Sequence, residues 1–219
     1  MVISKVFRQR ADHIWKNILE HPFLEELRRG TLPKDSFKFF IAQDFLFLQC
    51  MIRCLGIMEA KATDEDSKRL LSDMRRSSES VEIEGLNRLG ERLGGIDFRR
   101  VEYAPTCYAY TRHLLCTASL GSFVESVSAI TPCYWSYMEI GEALEGSPDP
   151  LYDEWIKTYI SREYQDLVSK IIEALDRAAR GEPEEAIGAS MKAFLISSEY
   201  EYMFWDMAYR REKWAHPLD

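Results

Sequence analysis

Cys133, Glu201 and Asp44 are the side chains of this chain that combine reactive chemistry with apolar surroundings. A thiol adds to an electron-poor carbon once ionised, and a buried carboxyl can carry a proton near neutral pH. Cys133 lies in PCYWSY, directly after Pro132. If Pro132 takes the first position of a helix, Cys133 falls in its first turn. Free backbone N–H groups there favour the thiolate and lower its pKa. Tyr137 then stands one turn further along the same face. No histidine is close to Cys133 in sequence to complete a Cys–His pair, and a carboxylate from another helix can take that place. An isolated cysteine also has a plain reading as an inert core residue.

Glu201 lies in FLISSEYEYMFWDMAY, residues 194–209. Spacings of three and four put it on one helical face with Phe194, Ser197, Ser198, Phe204, Trp205 and Ala208. Its carboxylate therefore points at the core or at a cavity, while Glu199 faces elsewhere, beside Asp206 and Arg210. Either a buried salt bridge satisfies Glu201, or its pKa is raised and it exchanges protons. Asp44 sits in FKFFIAQDFLFLQ among Phe37, Phe39, Phe40, Phe45 and Phe47. A short acid there is costly unless it has partners. A bond to another helix and a bond to a polar ligand atom both answer that need.

The chain holds 11 Tyr, 11 Phe and 5 Trp, enough flat rings to build an aromatic pocket as well as a core. YAYTRH (residues 108–113) and CYWSY (residues 133–137) place tyrosines on helices, where each offers a ring for stacking and a hydroxyl for orienting a neighbour. His13, His21, His113 and His216 show no metal-ligand spacing. No Walker sequence, dinucleotide fingerprint, HExxH or GxSxG occurs. No metal or organic cofactor is expected.

These residues must be held by helices, because the 3.6-residue period dominates and strand alternation never persists. The spacing predicts a helix over residues 4–19, ended at His21-Pro22, and a short one over 23–29 closed by Gly30. Pro33 opens a long helix through residue 62. Thr63-Asp64-Glu65-Asp66 resembles a capping box with Asp in the Glu position, and the helix after it runs to residue 93, where Gly94-Gly95 stops it. Pro105 opens another helix, to about residue 129. Thr131-Pro132 interrupts or kinks the pattern, and a helix follows over 133–144. Asp149-Pro150 caps a helix reaching residue 179, and the last covers 183–211. Short connections between about seven helices predict an all-α bundle forming one domain over residues 1–219.

The balance of 28 basic and 36 acidic residues gives a net charge of −8, so no basic face for nucleic acid is expected. No unbroken run of 18 apolar residues predicts a membrane span. The N-terminus MVISKVFRQRADHIW reads as an amphipathic helix and not as a signal peptide, which predicts a cytoplasmic protein. Five cysteines, an odd number, argue against a disulfide framework. Cys50 and Cys54 share a helix face and read as small buried hydrophobes.

The chain resembles the TenA/thiaminase II family, also called aminopyrimidine aminohydrolases. The resemblance is carried by QDFLFL (residues 43–48), YAYTRHLL (108–115), PCYWSYMEIGEAL (132–144), LYDEWIKTYISREY (151–164) and SSEYEYMFWDMAYRREKW (197–214). It covers nearly the whole chain, and the last three stretches in this order and spacing are highly specific. It implies a haem-oxygenase-like multi-helix bundle that assembles as a homotetramer. The implied reaction converts 4-amino-5-aminomethyl-2-methylpyrimidine to its 5-hydroxymethyl counterpart and ammonia. Cleavage of thiamin into its pyrimidine and thiazole halves is implied as well.

The family's catalytic cysteine falls on Cys133, its catalytic glutamate on Glu201 and its pyrimidine-binding aspartate on Asp44. Its pocket tyrosines fall on Tyr110, Tyr137 and Tyr159. A position often held by tyrosine is Phe47 here, so a ring remains without its hydroxyl. Retention of the cysteine places the chain with the cysteine-dependent branch. Tyr137 and Tyr159 are expected to hold Glu201 by hydrogen bonds, and Tyr110 to stack on or line the pyrimidine. Two rivals remain at this stage. One is a haem or di-iron protein of the same superfold, for which His13 is the tempting ligand. The other is a non-catalytic pyrimidine-binding or regulatory protein.

Overall fold

The computed structural model describes residues 2–216, with Val81 described by its backbone alone. Eleven α-helices make up its regular structure: α1 (Ile3–Arg10), α2 (Asp12–Leu19), α3 (Pro22–Arg29), α4 (Lys34–Lys61), α5 (Glu65–Ser77), α6 (Ile83–Arg92), α7 (Pro105–Leu120), α8 (Phe123–Leu144), α9 (Pro150–Ile160), α10 (Arg162–Ala178) and α11 (Glu184–Arg210). A wide π-turn, Ser78–Glu82, joins α5 to α6, and a 3-10 turn, Phe98–Arg100, precedes α7. No strand occurs among the described residues.

The most extensive helix pair is α8 with α11, followed by α4 with α7. The buried apolar residues of these helices form one continuous cluster that α2, α3, α9 and α10 complete. Trp155, Trp205, Phe40 and Tyr137 meet at its centre, with Phe40 and Trp205 stacked at 5.0 Å and Tyr137 and Trp205 at 5.3 Å. Helix α4 is long and apolar enough to cross a membrane. It is nonetheless an inner helix of the bundle, packed on α5, α6, α7 and α11, and it buries Ser36, Gln43 and Asp44.

Local chemistry explains where the helices start. His21 caps α3 by accepting the Phe23 N–H at Nδ1 (3.1 Å), with Pro22 at the first helical position and Gly30 at φ 72° closing the helix. Asp149 caps α9 through the N–H groups of Leu151 and Tyr152, and Lys34 anchors it from α4 at 2.6 Å.

Several expected boundaries are corrected. The helix over residues 4–19 breaks at buried Ala11. The cap of α5 is Asp64, not a box opened by Thr63; its carboxylate accepts the Ser67 N–H at 2.8 Å. The helix expected to run from Pro105 to residue 129 ends at Leu120. Ser122 and Glu125 form a reciprocal capping box there, at 3.3 and 2.8 Å, and start α8. The helix expected over residues 150–179 breaks at Ser161, whose hydroxyl caps α10 through the Tyr164 N–H.

Pro132 lies inside α8 and opens no helix. Its missing N–H removes one rung of the ladder. The Thr131 and Ser128 hydroxyls bond back to Val127 O and Val124 O, both at 2.7 Å, alongside that gap. Cys133 is therefore in mid-helix, and the first-turn activation expected from sequence does not exist.

Candidate active site

A cavity of about 370 Å³ opens between α4, the π-turn with α6, α8, α9 and the start of α10. Helix α4 contributes Asp44, Phe47, Leu48 and Met51, at the spacing of a single helical face. Helix α8 contributes Cys133, Tyr134 and Tyr137, and α9 contributes Trp155 and Tyr159. Ser77, Arg88 and Glu163 also border the cavity. The volume suits a single small heterocycle.

Cys133 is half-buried, and it lines the cavity. Burial, together with the charges of Glu201, Asp44 and Glu82, pushes its thiol pKa well above the ordinary value. That is the opposite of the lowering expected from sequence. A base must take the proton before the sulfur can attack.

Glu201 is 2% exposed. It does not line the cavity itself, yet its charge acts on both Cys133 and Asp44. Burial raises its pKa to about 7, opposed by a hydrogen bond from Tyr110. The Tyr110 hydroxyl donates to Glu201 Oε1 at 2.6 Å. Glu199, two residues earlier, is exposed, as the helical phase requires.

The tyrosine roles expected from the resemblance are therefore exchanged. Tyr110 is the hydroxyl that holds Glu201; it packs against Phe47 at 5.0 Å and Tyr200 at 5.0 Å and does not line the cavity. Tyr137 and Tyr159, 4.9 Å apart, form the cavity wall, and burial raises both phenols far above the ordinary value. Neither bonds to Glu201 among the described residues. Phe47 bridges Tyr110 and Phe204.

Asp44 is 9% exposed. Burial first, and then the charges of Glu82 and Glu201, raise its pKa to about 8. The neighbouring Gln43 ties α4 to the segment that leads into α7, donating to Glu102 O and accepting from the Ala104 N–H, both at 2.9 Å. Asp44 is thus placed on a braced turn of helix.

Among the cavity residues that sequence reasoning missed are Glu82, Tyr134, Trp155 and Tyr164. Tyr134 adjoins Cys133, and its aromatic neighbours were a usable signal. Glu82 sits in the polar run SESVEIEG and had no signal, because its inward aim depends on the π-turn. His13, the tempting haem ligand, is exposed. No group of three His, Cys, Asp or Glu side chains with metal-binding placement occurs among the described residues.

The model of the TENA/THI-4/PQQC family matches residues 8–211. An aminopyrimidine aminohydrolase of Halalkalibacterium halodurans is 34% identical over 95% of this chain and 96% of its own. The solved TenA homologue from P. horikoshii OT3 superposes with a TM-score of 0.89 at 33% identity, covering 96% of this chain and 99% of that one. Haem oxygenase-1 of Synechocystis, at 10% identity and a TM-score of 0.65 over 94% of this chain and 91% of its own, shares the fold alone. The chain has the haem-oxygenase-like all-α fold and belongs to the TENA/THI-4/PQQC family, among its TenA (thiaminase II, aminopyrimidine aminohydrolase) members.

Proposed function

We propose that this protein hydrolyses 4-amino-5-aminomethyl-2-methylpyrimidine to the 5-hydroxymethyl compound and ammonia, and cleaves thiamin at the same carbon. The activity named for its relatives supports this. The observation that carries it is the opening of Cys133 and Asp44 onto one small aromatic cavity, with the buried Glu201 carboxyl near enough for its charge to act on both.

Asp44, which keeps its proton at pH 7 because its pKa is raised to about 8, accepts from the exocyclic amine of the aminopyrimidine and donates to the adjacent ring nitrogen. Glu201, half-ionised near pH 7, takes the Cys133 proton. The sulfur then bonds to ring carbon 6, and Glu201 passes the proton to the adjacent ring nitrogen. The electron-rich ring expels the group on its CH2 arm: ammonia when the arm is an ammonium, the thiazole for thiamin. Water adds to the exposed methylene and gives up a proton, which leaves on ammonia as ammonium or, when the thiazole has departed, passes to solvent. The carbon–sulfur bond breaks, the sulfur recovers its proton through Glu201, and the ring is restored. Phe47 supplies a flat wall without a hydroxyl, so its influence falls on substrate preference and not on the bond-breaking groups.

Ammonia release from the aminomethyl pyrimidine tests the reading. Cys133→Ser is expected to lose a thousandfold or more in kcat with unchanged helical content. Full activity in that variant would sink the covalent route. Binding without ammonia release by the native protein would make it a pyrimidine-binding protein instead. The acidic surface and five free thiols support action on a small molecule in the cytoplasm. Exposed Tyr108, Leu120, Met203 and Trp214 give apolar surface for assembly into the proposed homotetramer, which light scattering measures directly.

A further inference from the structure

We infer that Glu82, carried on the π-turn between α5 and α6, holds the positive charge on the substrate's CH2 arm. This selects aminopyrimidines whose 5-methylene bears a cation, and it rests on the aminopyrimidine reading above.

Glu82 lines the same cavity as Cys133 and Asp44. The Ser78 hydroxyl, one turn earlier, donates to Glu82 Oε1 at 2.7 Å and fixes one side of the carboxylate. Its charge acts on Asp44, Cys133, Tyr134, Tyr159 and Tyr164, all of which line the same cavity. No basic side chain pairs with it among the described residues. Arg88, which borders the cavity, bonds Glu84 at 3.1 Å, and Arg75 serves Glu59 and Glu79.

A second observation points to a ligand at the same place. Tyr134 lines the cavity and is 4% exposed; its hydroxyl completes no hydrogen bond, although it faces the Ser78 hydroxyl that is already donated to Glu82. Its position is set from behind, where the Tyr164 hydroxyl donates to Tyr134 O at 3.1 Å. A buried orphan hydroxyl beside an unpaired carboxylate is an unfinished network. An ammonium finishes it, because its N–H groups donate to Glu82 and to the phenol oxygen. A thiazolium in the same place meets the carboxylate by charge alone. The hydroxymethyl product carries no cation, so it forfeits this attraction and is free to leave.

Pi-turns concentrate at functional sites because they re-aim side chains that a regular helix would point elsewhere. The turn here brings a carboxylate to the cavity from a segment in which Glu79 and Ser80 face outward.

The test is calorimetric titration of Cys133→Ser protein, which binds without turnover, with the aminomethyl and the hydroxymethyl pyrimidine. The Cys133→Ser protein is expected to prefer the aminomethyl compound tenfold or more. Adding Glu82→Gln is expected to weaken the aminomethyl compound at least tenfold and the hydroxymethyl compound less than twofold. Equal losses for both ligands, or none, overturn the inference. Should Glu82→Gln fail to fold, Ser78→Ala serves, with a two- to fivefold loss expected for the aminomethyl compound alone. Failure of Cys133→Ser to bind either pyrimidine would instead count against the aminopyrimidine reading.

Discussion

The Tyr110 hydroxyl stands 2.6 Å from Glu201 Oε1, with both groups buried and joined across α7 and α11. By donating to the carboxylate it opposes the burial that raises Glu201 to about 7. A hydrogen bond to a charged group contributes about 1.5–3 kcal/mol, or roughly one to two pH units. Tyr110→Phe should therefore move the acid limb of kcat/KM upward by about one unit. At pH 7 the rate should fall about fivefold while circular dichroism stays unchanged. A limb that does not move would reduce Tyr110 to a packing residue.

The native enzyme should show the same limb near pH 7. Glu201 must be ionised to take the Cys133 proton, so kcat/KM should rise about tenfold per unit below pH 7 and level off above it. Glu201→Gln should keep pyrimidine binding and lose both the turnover and the limb. A Gln variant with normal rates would assign the proton transfer to another group.

Asp44 and Glu201 should also weaken the fold at alkaline pH. Unfolded carboxyls titrate near 4, whereas these titrate at about 8 and about 7 in the folded protein. Between those values the native state binds more protons than the unfolded state, so stability falls as pH rises. The favourable contribution is complete below about pH 4 and gone above about pH 8. Asp44→Asn should therefore melt higher than the native protein at pH 8, by roughly 1–3 kcal/mol or several degrees, with no gain at pH 4. A lower melting temperature at pH 8 contradicts the burden assigned to Asp44.

Gly141 lets α8 approach α9 beside the cavity. A Cβ there would stand 2.9 Å from Tyr159 Cβ and 3.1 Å from Ile160 Cγ2. Gly141→Ala should cost about 1–3 kcal/mol by overpacking and raise KM by displacing Tyr159. Gly188 in α11 has nothing within 4 Å, so Gly188→Ala should stabilise by about 0.5–1 kcal/mol and leave KM alone. Thermal melts and steady-state kinetics on the two variants separate these outcomes.

The helices were legible where punctuation and period agreed, as at Pro22 with Gly30 and at Asp149 with Pro150. Proline misled at position 132, because tertiary packing carries α8 through a residue that local preference treats as a boundary. Apolar residues continue on both sides of Gly121-Ser122 and mask the helix break there, although SFVE holds a capping box. In the site, the inward faces of Asp44 and Glu201 followed from helical phase. The partner of Glu201 did not, since which tyrosine reaches it depends on how α7 lies against α11. The ionisation of Cys133 was misjudged for the same reason as the helix boundary, and Glu82 was hidden by a change of helical period.

A π-turn houses one residue more than an α-turn between the same flanks. Deleting a single residue from Ser78–Glu82 would restore the regular ladder and leave α5 and α6 seated on α4, while swinging the carboxylate away from the ring. A one-codon change in length at this bend is thus a gentler route to a different diet of pyrimidines than any substitution in the aromatic interior.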